Sequence, residues 1–352
     1  MTDSVHRSSN NFDLIRFLAA SFVIITHSQV LCGHGGTDWL SSISRGTIQF
    51  SHLGVAVFFI ISGYLIAQSL VRSKTYSGYL WKRFLRIFPG LAVMLALLIV
   101  VLGPLVGTLP LGTYFTTPQT WGVFLTLSLY KLNIVLPGVF AKNPMTNAIN
   151  GSLWTLAYEF SFYLLLLVAG ITGIIKNRYV VLFVWLGLFA VRTYLRAKIF
   201  VYDYATPYLL GLNIMYVVEW GLFFGAGTLF YLFRDKIKFN VWIFMAACAA
   251  TVAVVYLSET AGRITYYITL PYIIFYLSFL PGALNHFGKY GDFSYGIYIY
   301  AYPVQQTLIF FLGPEIGLPL MVFLSFICTL PLAVLSWYVI EKKALAFKNA
   351  VN

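Results

Sequence analysis

Residues 12–29, FDLIRFLAASFVIITHSQ, set an arginine and a histidine inside one apolar run. At about 100° per residue, the eleven-residue step from Arg16 to His27 returns to within roughly 20° of the same face, so one helix carries both on a single stripe about 16 Å apart. Arg16 stands at the entry of the run and His27 deep within it. Ionisable groups at membrane depth are costly and mark a functional pathway unless a structural partner explains them. His27 is therefore a candidate catalytic base, with Arg16 its companion at headgroup level.

The rest of the chain supplies the membrane. Its 352 residues are 60% hydrophobic and 10% charged, with a mean hydropathy of +0.82, more apolar material than a soluble domain of this size covers. The expected fold is all-α, a polytopic membrane bundle of about ten transmembrane helices. The apolar stretches lie near 13–31, 53–71, 88–107, 153–175, 179–196, 214–233, 240–257, 264–281, 292–312 and 317–340. An eleventh, 120–135, is short and carries Lys131 and Asn133, and charge decides its status. With that stretch kept on the outer side, as a re-entrant or surface helix, and both termini cytoplasmic, fifteen Lys and Arg fall inside and seven outside. The positive-inside rule favours this arrangement. The first run has no clear small-residue cleavage site and reads as a retained span.

The net charge of +12 is dispersed over loops between lipid-facing helices and forms no basic domain, which argues against nucleic acid as a partner. Cys32, Cys248 and Cys328 have no metal-ligand spacing, and neither a metal site nor a disulfide framework is expected. No tandem repeat, low-complexity tract or soluble appendix points to a second domain.

In 71–90, VRSKTYSGYLWKRFLRIFPG, Arg83 and Arg86 are three apart and share a helical face, with Arg72, Lys74 and Lys82 nearby and Pro89 closing the local pattern. Such a cluster suits phosphate oxygens, and it equally suits topology setting and anionic lipid. In 52–70, HLGVAVFFIISGYLIAQSL, Ser62 and Gly63 read first as helix-packing residues, while Tyr64 needs a polar partner. In 150–167, NGSLWTLAYEFSFYLLLL, Trp154 and Glu159 enter a span from the outer side. Glu159 lies at a depth similar to that of His27. It either meets the imidazole, fixing its tautomer, or pairs with an arginine such as Arg192 for structure alone. Ser294, Tyr295 and Tyr298 open the tyrosine-rich stretch 291–304, GDFSYGIYIYAYPV, where Pro303 is expected to kink the helix. Glu341, Lys342 and Lys343 read as a cytoplasmic stop. His34 and His52 are assigned to the outer loop, His6 and His286 to the cytoplasmic side.

Taken in order, FDLIRFLAASFVIITH, GVAVFFIISGYLI, KRFLRIFP, NGSLWTLAYEFSFY, FSYGIYIYAYPV and SWYVIEKK resemble the membrane-bound acyltransferase-3 family over nearly the whole chain. The resemblance implies one membrane domain spanning 1–352, without a fused extracytoplasmic domain, in a bacterial inner membrane. It implies transfer of an acyl group, usually acetyl, from acyl-coenzyme A to a hydroxyl of a sugar, a surface polysaccharide or its lipid-linked precursor. His27 would be the catalytic histidine with Arg16 essential beside it. Lys82, Arg83 and Arg86 would belong to the donor site with Arg72. Tyr64, Trp154, Glu159, Ser294 and Tyr298 would lie near the site. A separate extracytoplasmic protein that accepts the acyl group is a further partner the family allows. Many relatives carry a histidine two residues before the proline of the tyrosine-rich motif; this chain has Ala301 there, so His27 acts without it. A different class, a transporter or flippase using Arg16, His27 and Glu159 as a binding or proton-coupling site, predicts matching broken helices in two halves, which the sequence does not display.

Overall fold

The structure is a computed structural model and describes residues 10–198 and 208–350. Ten long helices run through the described residues, and each overlaps one of the apolar stretches. They are α1 (Phe12–Leu31), α2 (Phe50–Arg72), α3 (Tyr76–Leu97, continuing through a π turn to Val106), α4 (Thr155–Ile171) and α5 (Arg178–Lys198). After a two-stranded antiparallel pair, Tyr208–Leu209 with Leu212–Asn213, follow α6 (Ile214–Leu232), α7 (Val241–Leu257), α8 (Glu259–Phe279), α9 (Ser294–Leu312) and α10 (Leu318–Ser336). Five helical runs, Phe12–Leu31, Phe50–Arg72, Tyr76–Val106, Ile214–Leu232 and Leu318–Asn349, are long and apolar enough to cross a membrane. The chain is a multi-pass membrane protein.

The segment 120–135 contains only the short helix Pro118–Gly122 and the 3₁₀ turn Val123–Ser128. So short a helical run falls well below the ~30 Å of a hydrocarbon core. Thr126 Oγ1 closes the following turn, donating to Asn133 O at 3.1 Å and accepting from Asn133 N at 3.0 Å.

Helix α2 is the centre of the bundle, and glycines let its neighbours reach it. A Cβ added at Gly63 would lie 1.9 Å from Phe224 O, and one at Gly227 would lie 1.9 Å from Ile60 O. The α2 and α6 backbones therefore touch, and Thr228 Oγ1 donates to Gly63 O at 3.3 Å. Gly54 does the same against α1, where a Cβ would meet Ala19 O at 2.4 Å. Small residues at such crossings are how helices gain contact where lipid is as apolar as leucine.

Pro89 does not end its helix: α3 starts at Tyr76 and runs through it. Lys82, Arg83 and Arg86 thus belong to the same helix as the apolar run after them, while Arg72 ends α2 and Lys74 lies in the connection. Tyr295 Oη donates to Ile87 O at 2.7 Å, a neighbouring helix supplying a partner within the proline-containing turn. Gly90 admits that ring, since a Cβ there would sit 2.9 Å from Tyr295 Cε1.

Gly63→Leu should break the α2–α6 contact and cost at least the ~1–3 kcal/mol typical of overpacking. Thermal unfolding in detergent tests this, with Gly112→Leu as a control at a site open to at least 4 Å; equal melting of the two variants would refute the close contact.

Candidate active site

A cavity of about 330 Å³ opens among α1, α2, α3, α4, α9 and the end of α10. On α2 it is lined by Val55, Phe59, Ser62 and Ile66, a stripe spaced three and four residues apart. Lys82, Arg83 and Arg86 of α3 and Lys348 past α10 line its basic end, and Thr155 and Tyr298 its far end.

Two of the basic side chains are matched by carboxylates. Asp292 Oδ2 lies 3.1 Å from Arg16 Nη2 and 2.6 Å from Arg86 Nη2. Arg16 also pairs with Asp13 within its own helix. Glu341, 2% exposed, approaches Arg86 Nη1 at 3.4 Å and accepts from Ser336 Oγ at 2.9 Å. Glu341 is therefore a buried counter-ion, not part of a simple stop signal; it ends a π turn, Trp337–Glu341, of a kind that recurs at functional sites. Ser294 holds Asp292, its Oγ donating to Oδ1 at 2.6 Å, so its role is to position the ion pair.

Arg83 is different. Its Nη2 reaches only Ser69 Oγ, at 3.4 Å, its guanidinium lies about 6 Å from the Tyr79 and Tyr163 rings, and its buried Nε has no partner. The two arginines of the motif thus divide: Arg86 is paired with two acids, and Arg83, among the described residues, is in no ion pair. Lys82 contributes a single long contact, Nζ to Ser73 Oγ at 3.4 Å.

His27 and Glu159 do not share a hydrogen bond. Helix α4 starts at Thr155, which puts Glu159 one turn in, where its Oε1 accepts from Ser62 Oγ at 3.1 Å and from Tyr163. The residue that meets His27 comes from the turn before: Ser152 Oγ lies 3.3 Å from Nδ1. Tyr302 packs edge-on against the imidazole at 5.3 Å. Tyr298 joins this group to the cavity, since its hydroxyl donates to Ser152 O and lies 2.5 Å from Thr155 Oγ1. Ala301, in place of the second histidine, is buried in an apolar cluster with Ala20, Ile24, Ile297 and Ala333.

Five expected site residues are not on the cavity wall: His27, which lies against Ser152, Ser294, which holds Asp292, and three more that lie elsewhere. Tyr64, two residues beyond Ser62 and so about 200° around the helix, points into Phe12, Tyr231 and Phe275. Arg72 is exposed at the end of α2, outside the cavity lining. Trp154 packs on Tyr158 and Tyr216 and lines a second recess of about 250 Å³.

The alternative partner for Glu159 is also taken. Arg192 Nη2 binds Glu219 Oε2 at 3.0 Å, and Glu219 Oε1 lies 2.8 Å from His52 Nε2 and accepts from Tyr267 at 3.2 Å. His52 belongs to the first turn of α2 and not to the outer loop. Among the described residues, no group of three or more His, Cys, Asp or Glu is arranged to hold a metal ion.

The profile of a family described as an acyltransferase domain matches residues 9–338, almost the entire chain. The chain belongs to the acyltransferase-3 family. This acyltransferase is 31% identical over 349 residues to a protein named O-acetyl transferase from Shigella phage Sf6, with 96% of each chain covered. It is 37% identical over 174 residues to Nodulation protein 10 of Rhizobium leguminosarum bv. viciae, covering 46% of this chain and 44% of that one. No solved structure matches it significantly.

The structure places at or beside the cavity four residues that the sequence did not single out for it: Asp292, quoted only within a motif; Ser152; Glu341, read as part of a stop; and Lys348. Glu219→Ala should leave Arg192 buried and unmatched, costing ~3–5 kcal/mol. Loss of folded enzyme from membranes, with partial recovery in Glu219→Gln/Arg192→Met, is the expected result; unchanged melting of Glu219→Ala would show the pair to be dispensable.

Proposed function

We propose that this enzyme is a membrane O-acyltransferase that moves an acyl group, most simply acetyl, from cytoplasmic acyl-coenzyme A to a hydroxyl of a surface polysaccharide or its lipid-linked precursor. The supporting observation is the cavity itself: a guanidinium without a carboxylate, Arg83, at one end, and Tyr298, one residue's hydrogen bonds from His27, at the other. The reading takes all ten helices as spans, both termini inside, in a bacterial inner membrane, and the basic residue distribution supports that orientation. Arg83 and Lys82 then meet the donor phosphates. The volume suits a narrow thioester arm, with the bulkier nucleotide left at the mouth.

In this reading His27 removes the proton of the acceptor hydroxyl. The oxygen attacks the thioester carbonyl, the new C–O bond forms as the C–S bond breaks, and the thiolate leaves and takes the proton from the imidazolium. Ser152 orients the ring; with Nδ1–H donating to its Oγ, Nε2 is the free base. An acyl-histidine relay uses the same nitrogen as nucleophile. The 31% identical phage protein's name supports an acetyl group and an oxygen acceptor. Trp154, beside the loop that carries Ser152, is the acceptor-side residue in this scheme.

Labelled acetyl-coenzyme A supplied to membranes with cell-envelope polysaccharide tests the proposal. His27→Ala should lower transfer by at least about 10²-fold, the lower range of general-base catalysis. Arg83→Ala should raise the donor KM by about tenfold or more, as loss of a charged hydrogen bond does. Full transfer by His27→Ala at equal expression would remove the proposed base, and uptake of a solute without acyl transfer would favour a transporter.

A further inference from the structure

We infer that Lys348 completes a phosphate site at the mouth of the cavity with Lys82 and Arg83, so that the segment following α10 forms part of the donor-binding surface. The inference rests on the acyl-coenzyme A reading above and adds to it a residue beyond 338, where the family match ends.

All three cations line the cavity, and Lys82 lies within electrostatic reach of both Arg83 and Lys348. Among the described residues, none of the three has a carboxylate at ion-pair distance, whereas Arg16 and Arg86 beside them are matched. Glu159, also on the cavity wall, acts on Arg83 from beyond ion-pair distance, and one carboxylate against three cations leaves a repulsion that an anion relieves. The position of Lys348 is fixed by the fold. After the π turn the chain forms Lys342–Ala346 and the 3₁₀ turn Phe347–Asn349, and Trp81 Nε1 donates to Phe347 O at 2.9 Å. Each residue of that clamp is followed directly by one of the lysines, Lys82 and Lys348. Leu345, from the same segment, also lines the cavity.

Depth orders the three. Arg83 has a sealed Nε, Lys82 is half-buried and Lys348 is exposed at the rim. In coenzyme A the thioester arm is followed by a diphosphate and then by the ribose 3′-phosphate. The same order places the diphosphate at Arg83 and Lys82 and the 3′-phosphate at Lys348. An anionic lipid headgroup offers the same phosphate chemistry, so the test must separate the two.

Binding of coenzyme A and of 3′-dephospho-coenzyme A is to be measured for wild type, Lys348→Ala and Lys348→Arg in nanodiscs of phosphatidylcholine, and again with phosphatidylglycerol added. Wild type and Lys348→Arg should prefer coenzyme A by about fivefold, as one partly exposed charge pair allows, and Lys348→Ala should bind both nucleotides alike. A preference undiminished in Lys348→Ala overturns the site. An intact preference with weakened retention of phosphatidylglycerol overturns it in favour of a headgroup. Failure of wild type to bind either nucleotide would instead remove the acyl-coenzyme A reading, and this inference with it.

Discussion

A guanidinium inside an apolar bundle must be matched by a carboxylate or held ready for an anion, because an unmatched buried charge costs several kcal/mol. Asp292 carries out that matching for two arginines at once. Through it and Glu341, the start of α1, the middle of α3, the start of α9 and the turn after α10 meet at one ion cluster. The cluster fixes where the basic end of the cavity lies. It also sets the two arginines of the motif apart: Asp292 and Glu341 pair with Arg86, while Arg83, among the described residues, is in no ion pair and Glu159 acts on it only from farther off.

Helix α2 performs two tasks on two faces. One face is stripped to glycine, so α6 lies against its backbone; another carries Val55, Phe59, Ser62 and Ile66 along the cavity. The residues of its central motif therefore cannot be assigned a common role. Gly63 is there for contact with α6, Ser62 for Glu159, and Tyr64 for the aromatic packing on the opposite side.

The fold was legible because helices in lipid announce themselves by length and hydropathy, and each of the ten long apolar stretches overlaps a long helix. Its edges were less so. Pro89 reads as a terminator by the rules of soluble helices, yet neighbouring helices in a bundle can supply partners for the groups a proline frees. Of the residues that the spacing and motifs singled out, Arg16, Arg83 and Tyr298 line the cavity, and His27 lies behind it against Ser152. Pairings between helices were not legible. Glu159 and Glu219 are each a lone acid in an apolar run, and only the packing of α2, α4, α5 and α6 gives one to Ser62 and the other to Arg192 and His52. Glu341 was hidden by the lysines after it, because nothing in EKK tells that a π turn buries the first residue.

The loop before α4 is sewn to α9. Asn143 and Gln306 bind each other, Gln306 Nε2 donates to Met145 O and Ala148 O, Asn150 donates to Ile299 O, and Tyr298 donates to Ser152 O. The serine that meets the imidazole is thus tied to α9, while the imidazole belongs to α1. The two helices are themselves pinned by Gln305, which donates to Ile24 O and Ser28 Oγ. The meeting of imidazole and hydroxyl is consequently a reading of the α1–α9 register: a shift of an ångström that draws the two apart along their line would carry a 3.3 Å contact beyond hydrogen-bonding range.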